Sequence, residues 1–324
     1  MRSKTLWSAV LAILAVAMIL AMIISAAALH SRPKDTMPGQ HYKIGVVLKA
    51  MDSEHWLAVR AGMQAEARDQ HIGLVVLSPD SESDFDSQDR IIHELMDGGF
   101  DALIVAPVDW QKSASYAAEA AKRGIMFLTI DEQVPGVPYV GSDNYEIGRK
   151  AAKALAERLP AGSSVGVLAG SQRSHAHRER LRGFTEVIQG ETGLTLAAAI
   201  SDEANFKRSA SQAEAMMKQH PELKGLFLTS TPISLGAADA MANSGRSLCL
   251  IGVDAQADTL LAVKNGQIAA MVSQDAEAEG RLAVQSIITA LENGTSPDDV
   301  IIENDLITKD NVSDFLENME GAVN

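Results

Sequence analysis

The chain has 324 residues, a formal net charge of −14 and a single cysteine, Cys249. One cysteine excludes an internal disulfide, and the acidic balance disfavours nucleic acid and anionic lipid surfaces as partners. The length suits two lobes better than one.

Residues 5–29 are uncharged and mostly apolar, with Arg2 and Lys4 before them and Arg32 and Lys34 after them. Their apolar core, residues 6–24, is long enough to cross a bilayer as one helix and long for the apolar stretch of a cleaved signal. Ala26, Ala27 and Ala28 nevertheless offer small residues for cleavage. Residues 1–29 are therefore a signal anchor or a signal peptide, with membrane contact through residues 5–29. The basic short side keeps the N-terminus inside. Either way the rest of the chain is extracytoplasmic, in a periplasm or on the outer face of the cytoplasmic membrane. No cysteine lies near the segment, which argues against a lipoprotein. Residues 30–41 carry Pro33, Pro38 and Gly39 and read as a linker.

Beyond the linker, short apolar runs alternate with amphipathic stretches. The runs are 44–48, 74–77, 102–106, 126–130, 165–169, 194–200, 226–228, 248–253 and 268–272. Near-continuous Val/Ile/Leu runs are the pattern of parallel strands buried on both faces. Helical patterns lie at 56–70, 88–96, 113–123, 147–159, 178–188, 209–220, 235–243 and 280–293. This alternation predicts an α/β fold of doubly wound parallel sheet with right-handed crossovers. Nine strands leave one large sheet or two smaller ones open. Cys249 falls in an apolar run and reads as a buried small hydrophobe.

Ligands of such sheets bind beyond the carboxyl ends of the strands. The candidates are thus residues 49–56, 107–110, 131–132, 170–178, 230–231, 254 and 274. They mix polar side chains with Trp56 and Trp110, a composition that suits a hydroxyl-rich ligand.

At these residues the chain resembles the periplasmic sugar-binding proteins of the ribose/galactose-binding type, the substrate-binding components of ABC importers. The resemblance rests on Ile44-Gly45-Val46-Val47 with Trp56, Gly62 and Glu66, and on Thr129-Ile130-Asp131 with Val140-Gly141-Ser142-Asp143-Asn144 and Gly148. It continues through Arg178-Glu179-Arg180 with Gly183-Phe184, then Ile251-Gly252-Val253-Asp254, Gln274 and the ending from Leu306 to Asn311. It spans residues 43–315. It implies two similar lobes joined by three hinge crossings: 42–142 plus 275–303 for the N-terminal lobe, and 143–274 plus 304–324 for the C-terminal lobe. Hinges would lie near Ser142, Gln274 and Asp305, and the lobes would close on the ligand.

The resemblance also implies site residues. Asp131 and Asp254 would accept hydrogen bonds from sugar hydroxyls, although Asp is equally a preferred helix N-cap. Arg178 would donate a fork of hydrogen bonds, against surface solvation shared with Arg180 and Arg182. Gln274, at a crossing, can both donate and accept. Phe206 and Trp56 would cover the two faces of a sugar, against core or helix packing. The chain also departs from the ribose pattern. Glu132 stands where that pattern has Arg, Ala106 where it has Asn, Ser230-Thr231 where it has Asn-Asp, and Ser53 in place of another Asn. Lost amide and guanidinium donors leave hydroxyl acceptors unpaired. Ribose is therefore disfavoured, and another sugar, a polyol or an amine-bearing ligand is expected at Ser53, Glu132 and Ser230.

No catalytic residue, metal site or cofactor is expected. His175 and His177 lack further ligands at a diagnostic spacing, and no P-loop, G-x-S-x-G or H-E-x-x-H occurs. The expectation is a monomeric, non-catalytic receptor that binds a sugar or polyol and serves an ABC permease or signals to a membrane sensor kinase. Repressors of the lactose type share the fold, but residues 5–29 stand where their DNA-binding helices would be.

Overall fold

The computed structural model describes residues 42–51, 53–201 and 205–323. The expected membrane segment and linker lie outside them. No helix among the described residues is long and apolar enough to cross a membrane.

Two six-stranded sheets organise the chain. The first contains β1 (Lys43–Val47), β2 (Gly73–Leu77), β3 (Ala102–Val105), β4 (Met126–Ile130), β5 (Tyr139–Ser142) and β11 (Val300–Ile302), in the order β11-β5-β4-β3-β1-β2. The second contains β6 (Ser164–Ala169), β7 (Thr195–Ser201), β8 (Leu223–Leu228), β9 (Cys249–Val253), β10 (Ala270–Val272) and β12 (Leu306–Thr308), in the order β12-β10-β9-β8-β6-β7. Every pairing is parallel except that of β10 with β12. All nine predicted strands are present. The sequence pattern missed β5, β11 and β12, of three or four residues each, which are too short to show periodicity.

The chain passes between the sheets three times, from β5 to β6, from β10 to β11 and from β11 to β12. Central strands such as β3 and β5 are buried throughout, whereas the edge strand β2 alternates. Apolar side chains pack on both faces of each sheet. Cys249 opens β9 only partly buried, and burial raises its thiol above the usual range.

The helices are α1 (Glu54–Asp69), α2 (Phe85–Asp97), α3 (Trp110–Lys122), α4 (Asn144–Arg158), α5 (His175–Gly190), α6 (Phe206–Gln219), α7 (Thr231–Ser244), α8 (Ala257–Lys264), α9 (Ala276–Asn293) and α10 (Val312–Val323). Several begin two to four residues before the predicted start. The side chains of Ser53, Asp84, Asp109, Asp143, Ser174, Asn205 and Asp275 each accept a hydrogen bond from a first-turn N–H, so polar first turns extend the apolar pattern backwards. Two of the helix crossings that bring backbone against backbone at a glycine set the packing beside the first and second sheets. A Cβ at Gly148 of α4 would stand 2.0 Å from the Arg180 carbonyl oxygen of α5, and one at Gly62 of α1 would stand 2.1 Å from that of Glu277 in α9. Only glycine fits either crossing.

Candidate functional site

The carboxyl ends of β1 and β4 bring three charges together. Lys49, two residues past β1, places Nζ 2.5 Å from Asp131 Oδ2 and 2.6 Å from Glu132 Oε1. All three side chains are at most a tenth exposed. Burial alone would lower the Lys49 pKa, but Asp131, Glu132 and Glu82 outweigh it and hold the ammonium above its usual range. Burial likewise pushes the Asp131 carboxyl up, and Lys49 and Arg180 overcome that and hold it below the carboxylate range. Lys49 therefore stays charged and offers three N–H donors.

Asp131 has φ +60° and Asp254 has φ +80°, the left-handed region that a non-glycine residue rarely enters. Each follows a central strand of its sheet, so the two sheets present a carboxylate on strained backbone at equivalent places. Such strain persists only where surrounding contacts fix it, and it gathers at functional sites. The Asp131 N–H donates to Glu279 Oε1 at 2.7 Å, and the Asp254 N–H to the Val272 carbonyl at 3.0 Å. Burial and the Asp131 charge raise the Glu279 carboxyl well above its ordinary range. Neither aspartate caps the helix after it: a loop follows Asp131, and α8 is capped by Gln256. Asp254 Oδ2 instead accepts the Thr231 N–H at the start of α7, at 3.1 Å.

Beside Asp254, Ser230 Oγ and Thr231 Oγ1 are buried and have no hydrogen-bond partner among the described residues. A buried hydroxyl without a partner costs about 1–3 kcal/mol, so two together mark a place where a polar ligand supplies the missing bonds. Ser230 is the N-cap of α7 yet makes no capping bond with its side chain.

The start of α5 supplies the facing wall. Glu132 reaches across: Oε1 accepts from Ser174 Oγ at 2.5 Å, and Oε2 from the Ala176 N–H at 3.0 Å. A carboxylate at a helix N-terminus is favoured by the helix dipole. Glu132 is wholly buried, with Lys49 as its counterion. The structure thus gives it protein partners at both oxygens, unlike the ligand-facing carboxylate the sequence led us to expect. Further out, Arg173 pairs with Asp109 at 3.1 Å and lies 3.6 Å above the Phe85 ring, and Glu54 Oε2 accepts the Ala257 N–H of α8 at 3.0 Å. These contacts join elements of the two sheets.

A polar network ties the crossings. Arg180, 3% exposed, donates to Asn144 Oδ1 at 2.8 Å, to the Thr229 carbonyl at 2.7 Å and to Gln274 Oε1 at 2.7 Å. Asn304 Nδ2 donates to Ser142 Oγ at 2.9 Å and to the Ser273 carbonyl at 2.7 Å. Residues from all three passages between the sheets therefore share one network.

The remaining candidates occupy different settings. Gln274 is buried and engaged by Arg180. Arg178 is exposed, its guanidinium 5.3 Å from the Trp110 ring centre. Trp56 is 3% exposed, packs in the apolar core on the first sheet and donates from Nε1 to Glu82 Oε1 at 2.9 Å. Ser53 caps α1 through the Trp56 N–H. Phe206 opens α6 and is 44% exposed. Lys49 and Thr231 fell within the candidate strand ends without being given a role, and Arg180 was not a candidate. Arg180 was legible: it stands four residues from Ala176 and from Phe184, on the buried face of α5, whereas Arg178 and Arg182 fall off that face. Among the described residues no three His, Cys, Asp or Glu side chains are placed to hold a metal.

Over residues 44–295 the chain matches the model of the periplasmic binding protein domain. It is 28% identical over 262 residues to the ribose import binding protein RbsB of Bacillus subtilis, spanning 79% of this chain and 84% of that one. It shares the fold of a periplasmic solute binding protein of an ABC transporter from Actinobacillus succinogenes with bound D-allose (TM-score 0.79, 20% identity, 84% of this chain and 99% of that one). A chain of the XylFII–LytSN complex is similar in the same way (TM-score 0.77, 22% identity, 83% and 98%).

Proposed function

The chain belongs to the periplasmic binding protein family, and within it we propose an extracytoplasmic receptor for a neutral, hydroxyl-rich ligand, a sugar or polyol, that serves a sugar ABC importer. It is a binding protein rather than an enzyme. The observation that carries the ligand class is the set of unfilled hydrogen-bonding valences at the strand ends. Ser230 Oγ and Thr231 Oγ1 lack partners among the described residues, and Asp131 and Asp254 each commit one carboxylate oxygen, Oδ2, to the chain. Hydroxyl groups, which donate and accept at once, fill such a set. An anionic ligand would meet Asp131, Asp254 and an overall charge of −14. The lobes are 42–142 plus 275–303 and 143–274 plus 304–324, and closure brings Asp131 and Asp254 to one ligand. Trp56, Arg178 and Phe206 border that cleft, with Ser53 and Gln274 holding its edges.

The test is a thermal-shift screen of the full chain in mild detergent against aldoses, ketoses, polyols and sugar phosphates. A ligand present at 1,000 times its Kd adds about 4 kcal/mol to the native state. A neutral sugar or polyol should raise Tm and sugar phosphates should not. Stabilisation by sugar phosphates alone would refute the reading.

A second reading, a permanently anchored receptor that signals to a membrane kinase instead of feeding transport, draws on the length of the apolar run at 6–24. N-terminal sequencing of the protein from membranes decides between them. A start at Met1 favours the anchored receptor, and a start near residue 29 removes it.

A further inference from the structure

His177 is the one polar side chain in the cleft whose protonation state follows from counting hydrogen bonds. Its Nδ1 lies 2.9 Å from Thr229 Oγ1, and that oxygen accepts the Gly170 N–H at 3.0 Å. Thr229 is fully buried. If His177 donated from Nδ1, the threonine hydroxyl proton would have no acceptor among the described residues. If Nδ1 accepts, every group of the trio is satisfied. Nδ1 is therefore bare, and a neutral ring carries its proton on Nε2. The ring is neutral: burial, Arg180 and Lys49 push its pKa down to about 3.

Nε2–H has no hydrogen-bond partner among the described residues, yet it is not one of the fully enclosed unpartnered atoms, which are Ser230 Oγ and Thr231 Oγ1 alone. It is therefore not sealed off by the protein, and a ligand atom can reach it. Gly170 makes room for the ring, because a Cβ there would stand 2.3 Å from Nε2. Glu132 holds the Ala176 N–H one residue earlier, so closing the cleft is what fixes this turn of α5.

We propose that His177 donates a hydrogen bond from Nε2–H to the bound ligand and so requires an oxygen acceptor, a hydroxyl or ring oxygen, at that point. The inference rests on the sugar-receptor reading and deepens it by naming a donor that discriminates. A deoxy analogue, or an ammonium at that carbon, leaves the donor unpaired and binds less well.

The test uses the full chain and four probes: D-ribose, D-allose, D-galactose and xylitol. The tightest binder by calorimetry is then titrated into His177→Phe, which keeps a ring without N–H, and His177→Gln, which returns a donor near the Nε2 position. Phe should weaken binding at least tenfold, and Gln should recover most of the loss. Gly170→Ala, which displaces the ring without removing it, should weaken binding as Phe does. Nitrogen-15 NMR of the histidine side chains should show the proton on Nε2 of His177. Unchanged affinity in His177→Phe, or a proton on Nδ1, overturns the proposal and leaves the receptor reading standing. Binding of none of the four probes to the wild-type chain overturns both.

Discussion

Replacing Lys49 by methionine isolates the charge at the centre of the cleft, since the stem keeps its length and loses only the ammonium. In the native protein Nζ sits 2.5 Å from Asp131 Oδ2 and 2.6 Å from Glu132 Oε1, in a site at most a tenth exposed. Removing one partner of a buried ion pair costs about 3–5 kcal/mol, because the other charge is left buried and uncompensated. Here two carboxylates lose their cation. Glu132 keeps the Ser174 hydroxyl and the Ala176 N–H, and Asp131 keeps the field of Arg180 and can take up a proton. The expected loss at pH 7.5 therefore stays within about 3–5 kcal/mol. Its pH dependence reverses that of the native site. In the native protein Asp131 is held below its unfolded range, so its contribution is present at neutral pH and lost as pH falls through the folded value. In Lys49→Met the Asp131 carboxyl loses the charge that held it down, so burial raises it above its unfolded value, and the variant is favoured at low pH and weakens as pH rises through the folded value. Urea titrations followed by circular dichroism at pH 5 and pH 7.5 read both effects. A loss below about 1 kcal/mol at pH 7.5, or an equal deficit at the two pH values, would refute the account. Lys49→Met/Glu132→Gln should recover part of the loss, because it removes one of the two stranded charges.

Arg180→Lys should lose about 2–4 kcal/mol, since an ammonium cannot span Asn144, the Thr229 carbonyl and Gln274 as the planar fork does; denaturant midpoints check this. Gly148→Ala should lose about 2–3 kcal/mol and lower Tm by roughly 5–10 °C, because its methyl would meet the Arg180 carbonyl oxygen at 2.0 Å; a change under 1 °C would mean that α4 and α5 move apart freely. His177, held neutral down to about pH 3, makes the ligand-free protein less stable as pH falls below 6.5, where the unfolded ring takes a proton and the folded one does not. Between pH 6.5 and 4.5 that slope is at most about 2.7 kcal/mol, and His177→Gln should flatten it in denaturation curves.

Much of the architecture was legible because the apolar runs that made the strand prediction are the central strands themselves. Burial on both faces demands unbroken Val/Ile/Leu, and that demand is local. Asp131 and Asp254 stood out as candidates for the same reason: they end such runs, and ligands of parallel sheets bind beyond the strand ends. Their left-handed backbone was not legible, since no neighbour in sequence announces it. Glu132 read as a ligand group because only its position relative to Asp131 was visible. What fills it comes from Lys49 on another strand and from the start of α5, 42 and 44 residues further on.

The sequence by itself determined the α/β class, the order of nine of the strands and eight of the helices and the polar character of the strand ends, because each depends on periodicity or composition within a few residues, while the resemblance to the family rests on motifs in order along the chain. Only the tertiary structure decided which side chains are partnered. That Lys49 neutralises Glu132, that Arg180 and not Arg178 joins the crossings, and that Ser230, Thr231 and His177 keep hydrogen-bonding capacity to spare are facts about pairs far apart in the chain. A hydrogen bond or ion pair exists only when folding brings both partners within about 3 Å of each other.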